Sequence, residues 1–280
     1  MKASLEFFLK FYRVSDWIKV LGLVLIPCIL FKASITDTLK LIFITSLLLA
    51  YGFSINDFFD FKLRGEKNLV AEMYKKKKHT TLLMLILPPL LSLYFSFFIF
   101  SMSFSLLLFL LAFIICYVYS APQVRLRDRK ILDILSNSMF ILIFCYSYFY
   151  FTQSISLIFL FFLILYINYF LVSEIIHELS HWKRDKSSGR VSTVIWLGEE
   201  ASLAFAKLII ISGIIVSLIF YFFFSSYFKI LPIVSILFSF FRLMRIKSWK
   251  YPFYKLRTKI FGSEEGILYI ILLFLFNYFS

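Results

Sequence analysis

Apolar residues in this chain come in long, unbroken runs, and polar residues gather in short segments between them. The runs do not alternate apolar with polar, so the strands of a membrane β-barrel are excluded. The pattern predicts helices crossing a bilayer at about 16–34, 38–59, 80–100, 103–119, 131–151, 154–177, 201–225, 228–242 and 262–279. Each is near the ~20 residues that a hydrocarbon core requires. Fold class is therefore all-α: a polytopic membrane protein of nine transmembrane helices around a central chamber, read as one domain over residues 1–280. The first run carries acid and base ahead of it and no small-residue cleavage site, so it is read as a retained helix.

Charge sharpens this picture. Of the 30 Lys and Arg residues, 26 fall in every second connection: the N-terminal segment, Lys62 to Lys78, Arg125 to Lys130, Lys183 to Arg190, and Arg242 to Lys259. Alternate connections share a side, and the positive-inside bias makes that side cytoplasmic. The N-terminus is then cytoplasmic and the C-terminus outside. Net charge is +14. In a soluble chain it would suggest nucleic acid; here topology explains it, and no nucleic-acid partner is expected. Composition agrees, with 61% hydrophobic residues, 21% aromatic residues and a mean hydropathy of +0.88. Cys28, Cys116 and Cys145 stand singly in apolar runs and are expected to be free core residues.

Acid is scarce, and where it occurs is informative. Asn56-Asp57-Phe-Phe-Asp60 ends the second span, and Glu174, Glu178, His181 and Asp185 follow from the sixth. A carboxylate at a membrane helix end is costly to desolvate and needs a reason. Asp57 and Asp60 are three apart, on one helix face. The second set, spaced four, three and four, lines one stripe if its helix continues past the membrane. Four spans separate the two clusters, so both reach the same side, as a parallel pseudo-repeat of spans 1–4 and 5–8 would require. Facing carboxylates suit Mg²⁺, which takes one or two of them and completes its shell with water and phosphate. Lys62, Arg64, Arg125 and Arg127 lie close by in sequence and suit the remaining phosphate oxygens.

Three segments resemble the UbiA-type intramembrane prenyltransferases. Asn56-Asp57-x-x-Asp60 resembles the family's N-D-x-x-D-x-x-x-D. Tyr119-Ser-Ala-Pro122-Gln-Val-Arg125-Leu-Arg127, followed by Leu132-Asp133-Ile-Leu-Ser136-Asn137, resembles its Y-S-x-P-x-x-R-L-K region. Glu174-Ile-Ile-His177-Glu178-Leu-Ser-His181, continuing through Asp185, Gly189 and Thr193 to Leu197-Gly198, resembles its second acidic motif.

The resemblance implies a nine-helix fold and transfer of a polyprenyl group from its diphosphate to a lipophilic acceptor, with release of pyrophosphate. It implies Mg²⁺, one or two ions, on Asp57, Asp60, Glu178 and Asp185. His181 joins these as a catalytic residue, and Asn56, Lys62, Arg64, Tyr119, Arg125, Arg127 and Glu174 bind the diphosphate substrate. The chain departs from the pattern at Arg64, Glu178 and His181, where the family usually has Asp. Neutral His is a poor Mg²⁺ ligand, and His181 is read as a donor to phosphate or a base toward the acceptor. The segments look closer to relatives acting on quinone precursors, carotenoids or chlorin-type lipids than to archaeal glycerol-phosphate lipid enzymes. Two alternatives differ in class: a catalytically altered, lipid-binding relative, suggested by Arg64 and His181, and a transporter. The transporter is disfavoured because the spans carry almost no charge, Gly or Pro at mid-depth.

Overall fold

The computed structural model describes residues 2–138, 140–187, 189, 191–246 and 252–279, without the side chains of 2–4, 137, 138, 184, 252–263, 278 and 279. Asn137, Arg184, Arg190 and the basic residues from Lys247 to Lys259 thus have side chains outside the described residues. Among the described residues, all regular structure is helical. The chain runs through α1 (Lys2–Phe11), α2 (Val14–Trp17), α3 (Gly22–Leu30), α4 (Ile35–Arg64), α5 (Leu69–Lys76), α6 (Lys78–Phe100) and α7 (Phe104–Ser120). It continues through α8 (Leu132–Ser138), α9 (Ile141–Phe151), α10 (Leu157–Ser187), α11 (Thr193–Leu197), α12 (Glu199–Phe223), α13 (Ile230–Arg245) and α14 (Pro252–Phe279).

Every expected span overlaps a helix, but the helices are unequal. Five stretches among the described residues are long and apolar enough to cross a membrane: Ile35–Arg64, Lys78–Phe100, Leu132–Phe151, Leu157–Lys183 and Glu199–Phe223. Phe104–Ser120 is a shorter apolar helix. The first expected span is broken into α2, a 3-10 turn over Ile18–Leu21, and α3, which contains Pro27.

The helices group into two compact units. One is Met1–Leu126 with Leu142–Gln153; the other is Arg127–Ile141 with Ser154–Ser280.

In the first unit α4 is the hub, packed on α3, α5, α6 and α7. Ser34 starts it by accepting the Asp37 N–H at 3.0 Å, as an N-cap serine does. Gly65, at φ 67°, stops it in the left-handed conformation that glycine adopts without strain. At 30 residues the helix is about 45 Å long. That exceeds a ~30 Å hydrocarbon core, so one end must project from it. Small residues allow close approach: a methyl group at Gly52 would stand 3.1 Å from Cys116 Sγ on α7. Helix α9 is tied in by Tyr146, whose hydroxyl lies 2.7 Å from Thr45 Oγ1. The Thr45 hydroxyl donates to Leu41 O at 2.6 Å, so Tyr146 is the donor between them. Phe100 and Phe109 pack edge-on against the Tyr146 ring.

In the second unit α10 is the hub, packed on α8, α11, α12 and α14, while α13 packs on α12 and α14. Ile134, Val172, Ile175, Ile176, Leu179 and Val194 are among its buried core. Asn168 ties α10 to α12: it accepts from Ser212 Oγ at 3.0 Å. All three cysteines are free, as their spacing implied.

Candidate functional site

The C-terminal end of α4 carries the first acidic motif. Asp60 is 4% exposed, and Arg125 Nη2 donates to its Oδ1 at 3.1 Å. A buried carboxylate demands such a partner, and the guanidinium supplies both charge and donor. Arg125 follows the end of α7 with φ 43°, an uncommon conformation for a residue with a side chain. A strained backbone that aims an arginine at a buried aspartate is the kind of cost found at working sites. Asn56, one residue before Asp57, accepts from Ser120 Oγ at 2.6 Å, which ties α4 to the last residue of α7 beside Tyr119.

Asp57 has a different partner, which sequence reasoning missed. Arg13 Nη1 donates to Asp57 Oδ1 at 3.0 Å. The same guanidinium donates through Nε to Asp16 at 2.8 Å and lies 5.2 Å from the Phe53 ring centre. Burial works against the Arg13 charge, but Asp57 and Asp16 outweigh it and hold its pKa above the ordinary value. Arg13 was legible only as one more basic residue of a topogenic segment. Nothing in the sequence links it to a residue 44 positions away. Asn68 completes this corner, donating from Nδ2 to the Asp57 carbonyl at 2.9 Å while capping α5.

Lys62 and Arg64 have further partners along the chain. Lys62 Nζ sits 4.3 Å from the Tyr74 ring centre and donates to the Tyr74 hydroxyl at 3.2 Å. Arg64 Nη1 lies 4.0 Å from Glu66 Oε1, with Glu66 exposed.

The second motif lies in the second unit. Helix α10 does continue without a break through His181 and Asp185, over 31 residues. Glu174, Glu178 and Asp185 are all buried, and His181 is half-buried, so the four-three-four spacing forms a covered stripe. His177 and His181, one turn apart, hold their ring centres 5.0 Å from each other. Glu178, 3% exposed, accepts the Val194 N–H through Oε2 at 3.4 Å.

That bond belongs to a set of contacts that caps α11. Its first N–H groups would otherwise lack partners. Thr193 N donates to Asp133 Oδ2 at 2.7 Å, Val194 N to Glu178, and Ile195 N to Ser192 Oγ at 3.3 Å. Thr193 Oγ1 also donates to Asp133 Oδ1 and accepts from Ile131 N. Ile131 itself has φ 68°, a costly conformation for a β-branched residue. Asp133, 1% exposed, is therefore the fastener between α8 and the segment that follows the second motif. The sequence carried the signal: Asp133 is an acid at the start of an apolar run, the argument that singled out Asp57. Arg127 is half-buried at the start of this unit.

Among the described residues, no three His, Cys, Asp or Glu side chains converge on one point. Mg²⁺ does not require three. Asp57 and Asp60 present only oxygen donors from successive turns of one helix, a set that suits a hard cation completing its shell with water and phosphate. The residues present therefore fit Mg²⁺.

The sequence model of the UbiA prenyltransferase family matches residues 20–271. No curated protein matches the chain significantly. Among solved structures, a UbiA homolog from Archaeoglobus fulgidus bound to GPP and Mg²⁺ superposes with a TM-score of 0.75 at 20% identity, covering 96% of this chain and 98% of that one. The same homolog bound to DMAPP and Mg²⁺ gives 0.74 at 20% identity, with the same coverage. A structure concerning digeranylgeranylglyceryl phosphate synthase in membranes gives 0.68 at 19% identity, covering 98% and 99%.

Proposed function

The chain belongs to the UbiA prenyltransferase family, and on that footing we propose that it is an intramembrane prenyltransferase using a polyprenyl diphosphate and a lipophilic acceptor. The observation that carries this reading is the pair Asp57, half-buried, and Asp60, buried, at the end of a membrane-length helix with an arginine on each. Two carboxylates taken wholly or partly out of water at such a helix end are expensive to maintain unless they bind something. The GPP and DMAPP complexes of the Archaeoglobus homolog support a prenyl diphosphate as that ligand.

In the reaction, the bond between C1 of the prenyl group and the diphosphate oxygen breaks heterolytically. The electron pair leaves with pyrophosphate, the allylic cation is attacked by the acceptor, and the acceptor loses a proton. Mg²⁺ bound at Asp57 and Asp60 would stabilise the negative charge of a leaving diphosphate, and Glu178 and Asp185 on α10 offer a further set of oxygen ligands. Arg125 holds Asp60 in place through its donated hydrogen bond, and Arg127 offers a second guanidinium to phosphate oxygens. Asn56 fixes the angle of α4 against α7 through Ser120. Apolar walls keep water from the cation, and the abundant Phe and Tyr faces suit its charge. His181 accepts the proton lost by the acceptor, as an imidazole near neutral pH can.

We place the acidic motifs on the cytoplasmic side and retain nine spans. The alternation of basic connections supports both, and it also supports the parallel pseudo-repeat within a single functional domain. Departures at Arg64 and His181 favour a shifted metal dependence over loss of function, because Asp57, Asp60, Glu174, Glu178 and Asp185 all remain.

The test is release of pyrophosphate by the purified protein from a geranylgeranyl or longer diphosphate, with Mg²⁺ and a panel of lipophilic acceptors. Turnover that depends on Mg²⁺ and is lost in both Asp57→Ala and Asp60→Ala is expected. Unchanged turnover in both variants would sink the assignment of those residues.

A further inference from the structure

Arg13 is held where it is by more than its ion pairs. The turn between α1 and α2 is clamped on both sides: Tyr12 OH donates to Met84 O on α6 at 2.8 Å, and Trp17 Nε1 donates to Tyr12 O at 2.7 Å. Arg13 stands at the corner with φ 53°, and its own carbonyl accepts the Asp16 N–H at 2.9 Å. The backbone therefore fixes the base of this side chain while the guanidinium is shared among three groups.

Those three groups are not equivalent. Phe53 and Asp57 lie one turn apart on the same face of α4, so the guanidinium rests along the stripe that ends in the first motif. Asp16 lies on the other side and takes two contacts on Oδ2, from Nε at 2.8 Å and Nη2 at 2.7 Å. Asp57 takes one, from Nη1 at 3.0 Å. Arg13 can release Asp57 and stay paired with Asp16 over the Phe53 ring, so little is lost when it lets go.

A cation on Asp57 has a consequence for any other cation that needs the same oxygen. We propose that Arg13 is a metal-displaced counter-ion of the first acidic motif: it neutralises Asp57 until a divalent ion arrives, then withdraws onto Asp16, and so sets the affinity of the site for metal. This rests on the reading of Asp57 as a metal ligand. It adds a role for two residues, Arg13 and Asp16, that lie outside the acidic motifs.

The two partners of Arg13 should act in opposite directions. Removing Arg13 removes the competitor, and removing Asp16 leaves Asp57 as the sole anion for the guanidinium. The probe is Mn²⁺ alone, titrated into full-length protein in lipid nanodiscs and read by the free-ion signal in electron paramagnetic resonance. We expect Arg13→Gln to bind Mn²⁺ more tightly by about fivefold, and Asp16→Asn more weakly by about threefold, the scale of a partly exposed ion pair. Lys67→Gln removes the same charge from an exposed position beside Asn68, and is expected to shift affinity less than about twofold.

Wild-type or weaker binding in Arg13→Gln, or an equal gain in Lys67→Gln, would overturn the proposal. Should Arg13→Gln fail to fold, Asp16→Asn decides alone: unchanged or tighter binding overturns it. Asp57→Asn separates the two levels. If it leaves Mn²⁺ binding untouched, the metal assignment falls and this inference with it. If it weakens binding while Arg13→Gln and Asp16→Asn do nothing, only the inference falls.

Discussion

Replacing Asp133 with alanine should destabilise the second unit more than any exposed substitution could. The carboxylate is 1% exposed and accepts from Thr193 N at 2.7 Å, from Ile134 N at 2.8 Å, and from the Thr193 hydroxyl. A net hydrogen bond to a charged group is worth about 1.5–3 kcal/mol, and each donor left buried without an acceptor costs about 1–3 kcal/mol. These terms overlap, because the stranded donors are the same groups whose bonds are lost. Water also reaches part of the cavity that a truncated side chain leaves. A total of about 3–5 kcal/mol follows, comparable to breaking a buried ion pair. At about 2 °C per kcal/mol for a chain of this size, the thermal midpoint should fall by about 6–10 °C. The assay is thermal unfolding in detergent by intrinsic fluorescence, with size-exclusion chromatography confirming that the starting material is folded. Thr193→Val removes the hydroxyl alone and should cost less. In Asp133→Ala/Thr193→Val the two effects should fall short of their sum by about 0.5–3 kcal/mol, as in any pair that shares a contact. A midpoint for Asp133→Ala within about 2 °C of wild type would refute the claim that Asp133 fastens α8 to α11.

Three further outcomes are expected. Arg125→Ala removes a guanidinium donor from Asp60 and should lower pyrophosphate release by about 100-fold or more, the scale seen when one positioned charged group is lost; steady-state kinetics measures this. Arg242, half-buried, pairs with buried Glu265 between α13 and α14, and Tyr269 OH donates to Glu265 Oε1 at 2.9 Å. Arg242→Met or Glu265→Gln alone should cost about 3–5 kcal/mol, while the double substitution recovers much of that loss in the thermal midpoint. His181→Asp tests the base: turnover should fall while the Mg²⁺ concentration giving half-maximal turnover stays unchanged, checked by a Mg²⁺ titration; a lower half-maximal Mg²⁺ concentration would instead make His181 a degenerate ligand position.

The helices were legible because a bilayer allows so few solutions: a run of apolar residues must satisfy its own backbone, and only a helix does so. The expected continuation of α10 through His181 and Asp185 follows from the same periodicity that placed Glu174 and Glu178 on one stripe. The broken start at Ile18–Leu21 was not legible, since its apolar residues look like those of any span. Among site residues, Asp57, Asp60 and Arg125 stood out by motif. Their partners were visible to different degrees. Asp133 carried the same signal as Asp57 and could have been given a role. Arg13 could not, because the turn that brings it to Asp57 depends on Tyr12 and Trp17 packing contacts that leave no pattern in the chain. Lys62 shows a different gap: its position beside the motif suggested phosphate, and its contacts with the rings of Phe58, Phe61 and Tyr74 left no signal in the sequence. Proximity in sequence cannot say which way a long side chain turns.

The most direct test of the central claim is the fate of the prenyl group itself. A prenyl diphosphate labelled at C1 should be incubated with the protein in nanodiscs, Mg²⁺ and a lipid extract of the native membranes, and the label followed into organic-soluble products by chromatography and mass spectrometry. The account predicts that label appears in a new lipid, in step with pyrophosphate, and that Asp60→Asn abolishes both. Folded wild-type protein that transfers no label and releases no pyrophosphate under these conditions would contradict it.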